Sequence, residues 1–389
     1  MVGAGFALGL AVALVVPAAA GPGSSPYARL DPFAKVLSYI ERSYVDPVPQ
    51  ADLVDAAIKG MVGALDPHSA YYTPSEYRDL RREGDGEIVG IGLEVGKRGR
   101  HIVVIAPLEG APAQRAGIRS GDVLLAVDDK STRGWALGDV VTAIKGSSGT
   151  KVTLDVARPP PDTPDDLTRA KELRFVVARR LIHLDAVQKK LLPGGVGVVR
   201  VRQFQSGVAV DVEAAVEDLA DENGGTLPGL VLDLRNNPGG LLTEAVQICD
   251  MFLNAGRIVS TRGRGGQQTQ VYEATAAATL YDGPVVVLVD GGSASASEIV
   301  AAALGQNDRA EVIGERTYGK GSVQSIIDLR GGSGLKLTTA RYYTPSGASI
   351  HDRGVDPDLI VPRGETEGKD PQMAAAASRL REMARDDSK

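Results

Sequence analysis

Two segments limit what this chain can fold into more than anything else in it. Residues 230–234 (Leu-Val-Leu-Asp-Leu) and 285–289 (Val-Val-Val-Leu-Val) are short runs that are apolar almost throughout. A strand with one wet face alternates apolar with polar residues. A run without alternation buries both faces, as in a parallel sheet covered by helices on two sides. Each run is followed by small residues and then by a helical pattern, one beginning at Leu241 and the other spanning 295–304. Further strand-like segments fall at 196–201, 312–313, 322–329 and 335–343, with a helical one at 208–220. The pattern from about residue 173 therefore predicts an α/β core. In open sheets of this kind ligands gather beyond the carboxyl ends of the strands, so the two strand-to-helix junctions are where chemistry is expected.

The rest of the chain has a different texture. Residues 30–82 show helical spacing, with Leu30, Phe33, Val36, Leu37 and Ile40 in one set and Val54, Ala57, Ile58, Met61, Val62 and Leu65 in another, until Asp66-Pro67-His68-Ser69 breaks the second. From about residue 84, β-branched runs at 88–95, 101–105, 123–127 and 152–156 alternate with glycine turns, and two short helices are expected at 111–116 and 137–144. Four prolines and several acidic residues in 158–172 read as an exposed linker or loop. The expected fold class is thus α+β and multidomain. A leader or anchor with its linker occupies 1–26, a helical region 27–83, a β-rich domain 84–158, the α/β core 159–362, and a polar tail 363–389. The helical region is a candidate packing element through which copies of the chain could form a homo-oligomer.

Composition narrows the function classes. The 389 residues are 43% hydrophobic and 24% charged, which suits a globular protein, and the net charge of −6 comes from interspersed signs. No basic stripe of the kind a phosphate backbone needs is visible, so nucleic acid is not an expected partner. The single cysteine, Cys249, sits in an apolar helical run and reads as a small buried hydrophobe. The four histidines are scattered, with no metal-ligand spacing, and neither a metal nor another cofactor is expected. Residues 2–20 are uncharged and apolar, end in Ala18-Ala19-Ala20, and are followed by a Gly/Pro/Ser linker at 21–26. That arrangement fits export to the periplasm or cell envelope, as a cleaved signal or a retained anchor.

The junctions carry the candidate chemistry. In Asp233-Leu234-Arg235-Asn236-Asn237-Pro238-Gly239-Gly240, two glycines allow a sharp turn with N–H donors suited to an anion or a developing oxyanion, although an ordinary tight turn has the same composition. In Asp290-Gly291-Gly292-Ser293-Ala294-Ser295-Ala296-Ser297-Glu298, serine hydroxyls stand at a helix start, where the dipole favours an alkoxide; Ser295 with Glu298 also fits a plain capping box. A nucleophilic serine needs a base; His68, His101 and His183 have no acidic partner in a shared motif, and His351 precedes Asp352 in a polar turn that reads as solvated. A desolvated lysine can serve instead, and Lys320, between Gly319 and Gly321, is the candidate. The same stretch, 314–321, nearly matches a phosphate-binding loop, but Gly321 stands where Ser or Thr would hold magnesium.

Taken together and in order, several strings resemble the carboxyl-terminal processing peptidases, the tail-specific protease family. They are Val89-Gly90-Ile91-Gly92-Leu93-Glu94, Gly110-Ala111-Pro112-Ala113, Ala116-Gly117-Ile118 with Gly121-Asp122, then residues 233–240, 293–299, 318–324 and 338–347. The resemblance covers about residues 30–362. It implies that Ser295 is the nucleophile of a serine endopeptidase, that Lys320 is its general base, and that Gln324 orients the lysine. It implies an oxyanion hole from the backbone N–H groups of Gly239, Gly240 and Ala296. It implies that 84–158 is a PDZ domain in which Gly90, Ile91, Gly92 and Leu93 bind the terminal carboxylate of a substrate tail. Ser293, Ser297, Glu298 and Thr317 match family positions in a supporting capacity. An Asp often found after the serine helix is absent or shifted, so Asp308 receives no role. Partners implied are proteins with exposed C-terminal tails, with room for an adaptor protein. The competing reading is an inactive PDZ-containing scaffold of the same fold, which would be expected to have lost part of the Ser295/Lys320/Gln324 set.

Overall fold

The computed structural model describes residues 30–108, 110–160, 167–364 and 370–386. The apolar stretch 2–20 lies outside them, and no helix among the described residues is long and apolar enough to cross a membrane. Two compact units divide the chain, Met1–Leu65 and Asp66–Lys389. In the first, helices Asp31–Ser43 and Gln50–Gly63 follow the predicted spacing. Phe33, Val36 and Tyr39 on the first helix remain exposed, and that helix buries no residue.

The second unit holds the predicted α/β core. Its six-stranded sheet runs Val187–Leu191, Gly197–Val201, Leu230–Asp233, Val285–Val289, Ala310–Gly314, Leu359–Ile360, parallel except for the first pairing. The two apolar runs are its central strands and every residue in both is buried. Alternate residues serve opposite faces. Leu230, Leu232, Val285, Val287 and Val289 pack against the helices Val208–Glu222, Leu242–Phe252 and Ala296–Gln306, with Cys249 in the same cluster. Val231, Val286, Leu288 and Ile313 pack against Ala376 and Leu380 of the helix Pro371–Asp386. That C-terminal helix, expected as a polar tail, therefore closes the second face of the sheet. Its sheet partners are distant in the chain, so the local pattern does not show what it covers.

One other expectation is corrected. Residues 70–72, expected within the helical region, form a strand instead. After the Asp66-Pro67 break the chain forms the strand Ala70–Tyr72 and the helix Pro74–Gly84, and the strand pairs with residues 334–336 in a second, five-stranded sheet. A partner so distant in the chain leaves no local periodicity to read. Beyond the boundary drawn at 158/159, Lys171–Ala178 pairs with Lys151–Arg158 along its whole length. Residues 161–166 of the proline-rich segment lie outside the described residues, and the strands before and after it share one sheet, which runs Leu93–Arg98, His101–Pro107, Val123–Val127, Lys151–Arg158, Lys171–Ala178. Helices Pro112–Arg115 and Leu137–Ile144 stand where they are predicted.

Candidate active site

The two junctions at the carboxyl ends of Leu230–Asp233 and Val285–Val289 are locked to each other through backbone. Asn237 O accepts Ala294 N–H at 3.0 Å and Ser297 Oγ at 2.9 Å. The buried Asn237 side chain holds its own loop, donating to Val201 O at 2.8 Å and accepting Gly239 N–H at 2.9 Å. Asp290 reaches across from the other junction, its Oδ1 accepting Asn236 N–H at 2.8 Å and Gly292 N–H at 2.9 Å. Ser293 donates to Leu234 O at 2.8 Å. The sequence gives only one hint, and for Asp290 alone: a polar residue directly after a buried strand.

This frame holds Ser295 in a conformation that few side chains adopt. Its φ of 56° and ψ of −110° lie outside the usual regions, at the N-terminus of Ala296–Gln306. A non-glycine residue held there costs on the order of 1–3 kcal/mol, and such strain clusters at functional sites. Gly239 lies against the serine. A Cβ at Gly239, which has φ +100°, would fall 2.8 Å from Ser295 Cβ and 3.0 Å from Ala296 N, so only glycine fits.

Glu298 joins the serine to the lysine segment. It is fully buried one turn into the helix, and Ser295 N–H donates to its Oε2 at 2.7 Å. The same carboxyl accepts Lys320 N–H at 2.9 Å, Gly319 N–H at 2.7 Å and the Thr317 hydroxyl at 2.6 Å. Tyr318 N–H donates to Ser293 O at 3.0 Å. Ser295 and Lys320 are thereby anchored to one buried side chain. Half-burial holds the Lys320 ammonium below the usual lysine pKa, the charge of Lys336 adds to the lowering, and Glu298 opposes both. Lys336, on the neighbouring strand Gly334–Tyr343, was not singled out from sequence, since any one lysine reads as a surface charge.

Not every expected contact forms. Lys320 Nζ makes no hydrogen bond to Ser295 or Gln324, and Gln324 Nε2 instead donates to Ser322 Oγ at 2.9 Å and Thr338 Oγ1 at 3.4 Å. Gly239 N–H is taken by Asn237 Oδ1, so of the three expected oxyanion donors only those of Gly240 and Ala296 lack a backbone or side-chain acceptor among the described residues. Cys249 is wholly buried, and burial pushes its thiol pKa up, which suits packing rather than reaction. Among the described residues no cluster of His, Cys, Asp or Glu could hold a metal ion.

In the β-rich domain, Gly90-Ile91-Gly92-Leu93 forms a fixed loop. Ile91 is buried in the core, its O accepting Ala113 N–H at 2.8 Å, while Gly92 O accepts Leu108 N–H at 3.0 Å. Gly92 has φ +70°, and a Cβ there would fall 2.2 Å from that of Ala111.

Comparison with known proteins agrees with this arrangement. Residues 195–361 match the model for peptidase family S41, 79–157 that for the PDZ domain, and 17–75 that for the activating protease CtpB N-terminal domain. A carboxy-terminal-processing protease of Bartonella bacilliformis is 40% identical over 336 residues, which is 86% of this chain and 75% of that protein. The chain belongs to the carboxyl-terminal processing serine peptidases. A CtpA-like relative from Staphylococcus aureus is 36% identical over 344 residues, 88% of this chain and 66% of its own length. The solved photosystem II D1 C-terminal processing protease is 31% identical, with a TM-score of 0.53, covering 85% of this chain and 92% of that one. The chain thus spans about two thirds to three quarters of the curated relatives it matches. The peptidase match starts after Lys171–Ala178, in keeping with that strand's place in the β-rich sheet.

Proposed function

We propose that this chain is a serine endopeptidase that cleaves proteins selected by their C-terminal tails, with Ser295 as nucleophile and Lys320 as general base. One observation carries the reading. Glu298 anchors the strained serine and the lysine segment together, while burial and Lys336 bias that lysine towards the neutral form a base requires. In the reaction Ser295 Oγ attacks the scissile carbonyl carbon and its proton passes to Lys320 Nζ. Lysine then protonates the leaving amine as the C–N bond breaks. Water attacks the acyl-enzyme, giving its proton to Lys320, and Ser295 Oγ recovers a proton as the new carboxyl end departs. The Ala296 and Gly240 N–H groups would hold the oxyanion. The loop 90–93 would take the substrate's terminal carboxylate in the β-rich domain.

The inactive-scaffold reading has one observation in its favour, the turning of Gln324 to Ser322 and Thr338. Incubating wild type and Ser295→Ala with an unfolded polypeptide separates the two. The expected result is fragmentation by wild type and a loss of about 10³-fold or more in the variant at an unchanged melting temperature. Equal fragmentation by both, or none by wild type, would overturn the reading. Two further parts belong to the proposal. Residues 2–20 direct export to the envelope, which sequencing the mature N-terminus from fractionated cells checks. The exposed Phe33/Val36 stripe mediates self-association, which sedimentation of a Phe33→Glu variant checks.

A further inference from the structure

The strand Gly334–Tyr343 pairs along one edge with Ser322–Asp328. Its other edge is divided, with Ala70–Tyr72 on residues 334–336 and Arg257–Arg262 on 341–343, so that no strand among the described residues covers 337–340. The Asp66-Pro67-His68-Ser69 break, with no role in the reaction so far, fills that gap. Ser69 Oγ accepts Thr338 N–H at 3.1 Å and donates to Asp66 Oδ2 at 2.8 Å. Asp66 Oδ1 accepts His68 N–H at 2.7 Å, Ser69 N–H at 2.8 Å and the Thr338 hydroxyl at 3.3 Å. Across the strand pair, Thr338 stands opposite Gln324 and its Oγ1 accepts Gln324 Nε2.

These contacts form a directed chain. A hydroxyl has one proton to give, and an ionised carboxylate can only accept. Burial works to raise the Asp66 pKa, but hydrogen bonds from Ser69, His68 and Thr338 outweigh it and leave it lowered, so the group stays an acceptor. With its proton committed to Asp66, Thr338 Oγ1 offers Gln324 only a lone pair, and the amide must present its NH₂. Ser322 Oγ takes the other amide hydrogen at 2.9 Å. Gln324 Oε1 is left without a protein partner among the described residues. A lysine side chain, with its N–H donors, can be received by that oxygen and is repelled by the NH₂ end.

We propose that Asp66 is a positioning residue for the peptidase reaction: acting through the Thr338 hydroxyl, it sets the Gln324 amide so that the oxygen, and not the NH₂, is left to receive Lys320. The inference rests on the Ser295/Lys320 reading and goes beyond it, because it joins a turn outside both junctions to the base.

The test uses the full chain, kcat and KM on an unfolded polypeptide, and a double-mutant cycle. Thr338→Val, nearly isosteric, should lower kcat by about 10-fold with KM within about twofold, and Asp66→Asn should do the same. Thr338→Ser should restore most of kcat, because the hydroxyl alone is required. In a Gln324→Ala background, Thr338→Val should cost no further activity, since contacts in one network are not additive. If Asp66→Asn melts early, the threonine variants carry the test alone. An unchanged kcat in Thr338→Val, failure of the serine rescue, or an equal loss in both backgrounds overturns the proposal while the peptidase reading stands. Inactive wild type, or Ser295→Ala as active as wild type, sinks both.

Discussion

Two six-stranded sheets of the second unit do different work. The peptidase sheet is buried on both faces, and its central strands Leu230–Asp233 and Val285–Val289 have no exposed residue. The sheet of the β-rich domain has a smaller core around Val140, Val152, Leu154 and Val156, and its strands Leu93–Arg98 and Lys171–Ala178 keep exposed positions. On the proposed function, the difference matches what each would have to hold. A nucleophile and its base must stay fixed to fractions of an ångström, which calls for junctions locked on a sheet that cannot bend. A tail-binding loop adds an edge strand and tolerates a lighter support.

That comparison breaks most visibly at Glu298. Replacing it with Ala leaves buried N–H groups of Ser295, Gly319 and Lys320 and the Thr317 hydroxyl without their acceptor. The expected cost is on the order of 3–5 kcal/mol, with activity lost and tail binding by the other domain retained. Thermal melting and titration with a C-terminal peptide check the two halves. A variant with normal melting and normal cleavage would show that the buried carboxyl does not anchor the site.

A milder pair of changes compares the cores directly. Leu232 and Leu154 are both wholly buried, one in each sheet. Leu232→Ala and Leu154→Ala should each cost about 2–5 kcal/mol, the first abolishing cleavage on warming and the second first weakening tail binding. Denaturant melts followed by activity and by peptide binding distinguish them. If either variant lost both functions in one transition, the two cores would be acting as a single cooperative unit. Smaller again is Gly92→Val. The positive φ and the crowding against Ala111 predict a distorted loop and a roughly 10-fold loss of affinity for a peptide with a free C-terminus. Measured in a Ser295→Ala background so that the peptide survives, an unchanged affinity would remove the loop 90–93 from tail binding.

Much of this architecture can be read from local pattern, and what cannot shares a cause. The apolar runs at 230–234 and 285–289 declare a doubly covered sheet by themselves, and Gly239 and Ser295 stand at the junctions such runs define. What joins them is not local. Nothing near Glu298 says that its carboxyl reaches residues 317–320, and nothing near Ala70–Tyr72 says that it pairs with 334–336. Asn237 and Asp290 look like ordinary turn residues until the two junctions are side by side. The contacts of Gln324 are hidden for a related reason. The family resemblance pairs it with Lys320, but the hydroxyls that hold its amide arrive from the same strand and from the strand opposite. Sequence shows which elements exist, whereas hydrogen bonds between elements distant in the chain decide which side chains meet.

The smallest expected effect tests the electrostatic side of the same contrast. Lys336 lies on the strand behind the base, and its charge adds to burial in lowering the Lys320 pKa, against the opposing pull of Glu298. Only neutral Lys320 can take the serine proton, so activity should rise with pH through that lowered pKa. Lys336→Met removes one repelling charge while keeping much of the side chain's bulk. The Lys320 ammonium then persists to higher pH, and the rising limb of kcat/KM should move up by about 0.3–1 pH unit. Below the limb this reads as a loss of roughly two- to tenfold; on the plateau above it, activity should match wild type. Added salt should shrink the shift, because the two lysines are only partly screened by protein. Tail binding in the β-rich domain should not change at any pH. A limb that stays in place or moves down would mean that burial alone tunes Lys320, and that the second lysine serves the strand rather than the base.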